Sequence, residues 1–300
     1  MHDETFSEFD RELASRWKRT PEVDRLLVAH VTDSHVLRPH EDRPSVLGDF
    51  PSPTWGKEHL EGVLRELQSL SQRPDLLLLG GDMTHTGDPA EWDLLFAALE
   101  RFPVPMLLTL GNCEHRNNVP ESTAFQTSVS SLRKRGLPDS AVAGYWTHAK
   151  RFGAYHFIVL DSMHSGDLGP AQHDFLRGEL KHGRPTIVLM HRPIIRTGKP
   201  VDSLRLIDSV FEEILRDAGN VIAVVCGHAH CRRTANEHAR LHFITPSVNF
   251  GNDDRTGYRL VCLSNGEVAW SGTRAVVGDS CHAFRGPIVQ QEGGAVWEDF

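Results

Sequence analysis

Five short apolar runs stand out along the chain, each ended by Gly or a polar residue: Leu26–Val31, Leu76–Leu79, Val104–Leu110, Thr186–Met190 and Val221–Cys226. Runs of this length without alternation fit strands buried on both faces of a sheet. Between them lie segments with helical spacing. Trp55–Leu70 places Leu60, Val63, Leu64, Leu67 and Leu70 on one face. Asp88–Arg101 opens with Asp-Pro and continues through Trp92, Leu94, Leu95, Ala98 and Leu99, and Asp202–Ala218 repeats the pattern. From Gly144 onward the strands are shorter: Gly144–Thr147, Ala154–Leu160, Ala239–Thr245, Gly257–Leu263 and Glu267–Ser271. Ser264-Asn265-Gly266 separates the last two as a hairpin turn. Strands of both kinds with interleaved helices predict an α/β protein with two sheets.

Chemistry concentrates where the buried runs stop. Asp33-Ser-His35, Gly81-Asp82, Gly111-Asn112, His191 and Gly227-His228-Ala-His230 each follow one of the five runs. In open α/β sheets ligands collect at the carboxyl ends of strands, so these clusters predict one shared crevice. Asp and Asn supply hard oxygens and His a borderline nitrogen, a mixture suited to Mn, Fe or Zn more than to Ca or Mg. Taken singly, Asp33 could cap the segment after its strand and Gly80-Gly81-Asp82 could be a tight turn. Five in order on one chain favour a dinuclear metal site.

The pattern resembles the calcineurin-like metallophosphoesterase superfamily, whose motifs run Asp-x-His, Gly-Asp, Gly-Asn-His-Asp/Glu, His and Gly-His-x-His over roughly residues 26 to 272. The resemblance implies a four-layer α-β-β-α sandwich of two mixed sheets flanked by helices. It implies that Asp33, His35 and His230 hold one metal, that Asn112, His191 and His228 hold another, and that Asp82 bridges them. Two divalent ions, or an Fe(III)/M(II) pair, drawn from Mn, Fe and Zn, would generate a bridging hydroxide that attacks phosphorus.

One motif departs from the family. Gly111-Asn112-Cys113-Glu114 has a cysteine where the family has a substrate-contacting histidine, and general acid help is worth ~10²–10⁴ in rate. Cys113, Asn112 and Asp82 are thus the catalytic candidates. The Cys113 thiol is a weak donor, and beside two cations it would be partly ionised. His115 or His85 could supply the donor, although a solvated loop position is the plainer reading of both. Arg192, next to His191, could hold the phosphate or be a surface charge. His2, His40, His59, His148, His173, His182, His238, His242 and His282 read as surface or packing residues.

Composition narrows the class further. With 300 residues and 39% hydrophobic content the chain can bury a full core. A net charge of −8 without a Lys/Arg patch argues against nucleic acid as a partner. Cys113, Cys226, Cys231, Cys262 and Cys281 are an odd number without zinc-finger spacing, and no apolar run reaches transmembrane length. With no apolar signal at the start of the chain, these features predict reduced thiols in a cytoplasmic protein with no membrane contact. Three regions are expected: a helical extension over 1–24 with Phe6, Phe9, Leu13 and Trp17 on one face, the catalytic domain over 25–274, and a Gly-rich tail over 275–300 that caps the site or joins subunits.

Leu160-Asp161-Ser162, Gly169-Pro170-Ala-Gln172, Thr245-Pro246-Ser247 and Gly257-Tyr258-Arg259-Leu260 resemble the cyclic-nucleotide phosphodiesterase and glycerophosphodiesterase branch. Asp161 and Tyr258 read first as a strand-end cap and a core-edge ring. The branch implies hydrolysis of a small organic phosphodiester, a cyclic nucleotide among the candidates, and a homodimer or larger assembly. Phosphomonoester hydrolysis and a metal-binding scaffold without turnover are the alternatives.

Overall fold

The computed structural model describes residues 25–38, 55–70, 72–115, 123–137, 140–163, 166–197, 205–238, 240–249 and 256–276. The helix expected over 1–24 and nearly all of the tail expected over 275–300 lie outside them.

Strands β1 (Arg25–Val31), β2 (Leu76–Leu79) and β3 (Met106–Leu108) run parallel. The antiparallel hairpin β10 (Thr256–Ser264) and β11 (Glu267–Val276) completes their sheet in the order β11-β10-β1-β2-β3. The hairpin turns at Asn265-Gly266, both at positive φ, as a two-residue turn between twisted strands requires. The second sheet has the order β4-β5-β6-β7-β9-β8. Here β5 (Tyr155–Val159), β6 (Thr186–Leu189), β7 (Val221–Cys226) and β9 (Arg240–Ile244) are parallel, and β4 (His148–Phe152) and β8 (Arg233–Glu237) are antiparallel edges.

Alternation along the second sheet shows the layering. Phe157, Val159, Ile187, Leu189, Ala223, Val225 and Phe243 join one core together with the first sheet. Their neighbours Ile158, Val188, Val224, Cys226 and Ile244 join another with helices α5 (Gly169–Leu180) and α6 (Ser209–Asp217). Successive strand side chains point to opposite faces, so this sheet lies between the first sheet and two helices. The first sheet is covered in turn by α1 (Trp55–Ser69), α2 (Pro89–Leu99) and α4 (Thr123–Lys134), whose buried Leu60, Val63, Leu64, Trp92, Leu95 and Leu132 pack in its core. The result is two mixed sheets flanked by helices.

Several expected elements shift. Gly144–Thr147 is not a strand; β4 begins at His148. The amides of Trp146 and Thr147 are taken by Asp161 Oδ2 at 3.0 Å and Ser140 Oγ at 2.9 Å, which removes them from any ladder. The strand expected over Val104–Leu110 pairs only across Met106–Leu108. Helix α6 begins at Ser209, where Asp208 caps it by accepting from Phe211 N at 2.9 Å, and residues 202–204 of the longer expected helix lie outside the described residues. Among the described residues no helix is long and apolar enough to cross a membrane.

Candidate metal centre

Parallel strands place their carboxyl ends on one edge, and two adjoining sheets bring two such edges together. Asp33 follows β1, Asp82 follows β2, Asn112 opens the short helix α3 (Asn112–His115) after β3, His191 follows β6, and His228 and His230 follow β7. The loops after β1 and β2 are laced by backbone bonds from Asp33 N to Gly81 O at 3.0 Å, His35 N to Asp82 O at 2.9 Å and Val36 N to Met83 O at 2.9 Å. That lacing sets the two carboxylates side by side.

Five of the residues that resemble metal ligands sit at positive φ: Asp33 (54°), His35 (46°), Asp82 (49°), His228 (66°) and His230 (47°). This region is sterically costly for residues with a Cβ, by about 1–2 kcal/mol each. Nothing in the local sequence demands it. The surrounding hydrogen bonds hold it, including His228 N to Asp33 Oδ2 at 3.1 Å and Thr32 Oγ1 to the same oxygen at 2.6 Å. The glycines of the motifs make room: a Cβ on Gly111 would run into Asp82 Oδ1, and one on Gly227 into Thr32 Oγ1 and Asp33 Oδ2.

The side chains converge through their acceptor atoms. His35 Nε2 lies 3.4 Å from His230 Nε2, and His230 Nε2 lies 3.1 Å from Asp33 Oδ1. On the other side His191 Nε2 lies 3.3 Å from Asn112 Oδ1, and the His191 and His228 rings are 5.0 Å apart. Asp82 Oδ2 stands between the groups, 3.9 Å from His35 Nε2 and 3.6 Å from His191 Nε2. Nδ1 of His191 donates to Gly80 O at 2.8 Å, so neutral His191 turns a lone pair toward Asp82 and Asn112. His228 Nε2 is buried with no hydrogen-bond partner. Lone pairs gathered this way repel unless a cation lies among them, and atoms bound at about 2.0–2.2 Å to one ion are roughly 3–3.5 Å apart. The donor set therefore fits metal ions.

Electrostatics gives the same answer. Burial alone would lower the His191 pKa, but Asp82 outweighs it and holds the ring up to about 9, with Asp33 adding to the effect. Burial would raise Asp33, yet His230 brings it down to about 2. Asp82 is likewise driven well down, His191 and His35 overcoming its burial. Burial pushes His35 to about 4 and His228 to about 3. Two ionised carboxylates thus sit beside His35 and His228, which resist protons, and draw positive charge into the site, with His191 the ring that would hold a proton when no cation is bound.

The departing motif has a definite place. Cys113 is half-buried, with its sulfur 3.5 Å from His35 Nδ1 and its backbone N–H donating to Asp82 Oδ1 at 2.7 Å. Burial, then Asp82 and Glu114, hold its thiol well above the ordinary range. His85 also reaches this place: a ring nitrogen of His85, one of His35 and the Cys113 sulfur all lie within 4.8 Å of one another. His115 is not a solvated loop residue: it is 1% exposed, stacked on Phe125 with 4.6 Å between centroids, its Nε2 3.1 Å from Asp161 Oδ1. Arg192 is not a surface charge either; it is buried, close enough to Asp82 for the carboxylate to act on it. Of the histidines read as surface or packing, His59, His148, His173 and His242 are buried. Asp161 accepts from Trp146 N and Met163 N at the end of β5, and Tyr258 is fully buried.

Sequence reasoning passed over Glu114, whose carboxylate accepts from Asp82 N, Thr84 N, Thr84 Oγ1 and Gly111 N at 2.8–3.0 Å. Its place at the end of the Gly-Asn-Cys-Glu motif was the available signal. Ser247, which donates to the Asp33 carbonyl, lay in the Thr245-Pro246-Ser247 segment without a role assigned to it, and Thr32, which donates to the Asp33 side chain, carried no signal.

Fold and site together define an α/β sandwich that presents a cluster of side chains able to hold metal at the ends of its parallel strands. The chain belongs to the calcineurin-like phosphoesterase family, whose model matches residues 26–232, and is a phosphoric ester hydrolase. It is similar to a probable cyclic nucleotide phosphodiesterase of Synechococcus, 27% identical over 68% of this chain and 73% of that one. Another relative with the same description, from Psychrobacter arcticus, is 24% identical over 70% and 80%. A glycerophosphodiester phosphodiesterase of Enterobacter lignolyticus is 23% identical over 68% and 71%. Among solved structures, the fold is shared with a yellow lupin purple acid phosphatase (TM-score 0.61, 12% identity, 85% of this chain and about half, 52%, of that one). It is also shared with a Danio rerio dimetal phosphatase (TM-score 0.54, 12% identity, 83% and 95%).

Proposed function

We propose that this protein is a dinuclear metal-dependent phosphodiesterase acting on small organic phosphodiesters, with cyclic nucleotides the leading substrate class. The observation that carries the reading is the position of Asp82, whose Oδ2 lies within 4 Å of one histidine from each group of donors. A carboxylate so placed serves two ions at once. Asp33, His35 and His230 would hold one, Asn112, His191 and His228 the other. When bound, the pair supplies an ionised water at neutral pH and charge stabilisation for phosphoryl oxygens. The mixed oxygen and nitrogen donors favour Mn, Fe or Zn.

The chain's own residues do the remaining work. His191 is oriented by the bond from its Nδ1 to Gly80 O, which leaves Nε2 facing inward, and His230 presents its Nε2 inward beside Asp33 Oδ1. Arg192 lies near Asp82 as a buried cation and would anchor a phosphoryl oxygen. The substrate class is supported by the relatives' descriptions, cyclic nucleotide phosphodiesterases and a glycerophosphodiester phosphodiesterase. Metal content of the protein as purified, followed by turnover of bis-aryl and mono-aryl phosphates and of 3',5'-cyclic nucleotides, tests it. Two transition-metal ions per chain and preference for diesters are expected; preference for the monoester overturns the substrate reading.

A further inference from the structure

Cys113 touches three of the seven donors. Its N–H holds Asp82 Oδ1 at 2.7 Å. Its sulfur lies 3.5 Å from Nδ1 of His35 and 3.7 Å from Nδ2 of Asn112. Both of these side chains turn their other polar atom inward: His35 Nε2 toward His230 at 3.4 Å and Asn112 Oδ1 toward His191 at 3.3 Å. An imidazole offers a cation only a nitrogen without a proton, so His35 ligating through Nε2 carries its proton on Nδ1, facing the sulfur. An amide ligating through Oδ1 has its NH₂ on the far side, and that too faces the sulfur.

We infer that Cys113 is a positioning residue whose sulfur accepts from His35 Nδ1–H and Asn112 Nδ2–H, fixing the tautomer of one donor and the amide orientation of the other. The inference rests on the metal-pair reading and deepens it. It gives the missing family imidazole a structural counterpart. A neutral imidazole has a single in-plane acceptor nitrogen and could serve only one of the two donors, whereas sulfur, with diffuse lone pairs, serves both. Partners of this kind around a ligating histidine are worth about 10–100-fold in metal affinity, and thioether or thiol sulfur is a weak acceptor, so the lower end applies. One residue would thereby couple a ligand of each ion to the carboxylate between them.

The test measures Co²⁺ binding by chelator competition and by the visible spectrum of the bound ion, in the full chain, for wild type, Cys113→Ala and Cys113→Ser. Cys113→Ala is expected to weaken Co²⁺ about 10-fold and alter its spectrum, with the metal-free melting temperature unchanged. Cys113→Ser, which restores an acceptor, is expected to recover part of the affinity. Unchanged affinity and spectrum in Cys113→Ala overturns the inference, as does a serine variant no better than alanine. A loss of affinity matched by loss of metal-free stability overturns it too, since that marks a merely structural role. A wild-type chain that fails to take up two Co²⁺ refutes the metal-pair reading instead.

Discussion

Glu114 holds Asp82 in place from behind: its Oε2 accepts the Asp82 backbone N–H at 2.9 Å, and the same carboxylate takes the amides of Thr84 and Gly111. It is fully buried, and burial together with the Asp82 charge brings its pKa up to about 7. Three N–H groups and a hydroxyl thus depend on one side chain. Hydrogen bonds to a charged group are worth about 1.5–3 kcal/mol, and orphaned buried donors add a further cost. Glu114→Ala is expected to lose roughly 3 kcal/mol or more of stability in urea unfolding and to bind metal poorly. Glu114→Gln keeps one acceptor oxygen and should lose less on both measures.

Gly111 and Gly227 are packed against the carboxylates themselves. Adding a methyl at either forces Asp82 or Asp33 to move, while the sheets behind them need not. Gly227→Ala and Gly111→Ala should therefore keep their circular dichroism and lose bound metal. Gly219→Ala, whose Cβ meets nothing within 4 Å, serves as the control and should match wild type. Metal per chain by elemental analysis decides the matter.

The buried strands were legible because they are uninterrupted apolar runs: Leu76–Leu79 is read as a strand at sight and is one. The ligand order was legible because the site residues sit where those runs end. Strand β8, Arg-Thr-Ala-Asn-Glu, was not, because an edge strand half open to solvent needs no apolar alternation. Neither was the burial of His115 and Arg192, since polar residues are buried by what the rest of the fold places against them, here Phe125, Asp161 and the Asp82 loop. The left-handed backbone at Asp33 and His35 leaves no mark either. It is imposed by long-range bonds to Gly81 and Asp82.

Cys113 stands where the family has an imidazole, and burial with two nearby carboxylates keeps its thiol protonated. A thiol so held is a poor proton source for a leaving group. With metal at saturation, Cys113→His should raise turnover of esters with poor leaving groups more than of those with good ones, by up to about 10²-fold. The slope of log kcat against leaving-group pKa reads this directly. An unchanged slope rejects a leaving-group role for position 113.

Two histidines of the second sheet, His148 on β4 and His242 on β9, make stability depend on pH. Burial holds His148 neutral down to about 3 and His242 to about 4, against an ordinary value of 6.5. In the unfolded chain both take a proton near 6.5, while the folded chain refuses it until far lower pH. Between those values the unfolded state binds more protons, so stability is fully present above pH 6.5 and falls as pH drops toward 4. Each such ring contributes a slope of up to about 1.4 kcal/mol per pH unit. Urea unfolding of the metal-free protein at pH 7.5, 6.5, 5.5 and 4.5 should show this loss setting in below 6.5. His148→Phe, which keeps a buried ring beside Trp146 and removes the titrating nitrogen, should flatten the acid limb by about one proton's worth. An acid limb as steep in His148→Phe as in wild type would show that His148 is not held neutral by burial.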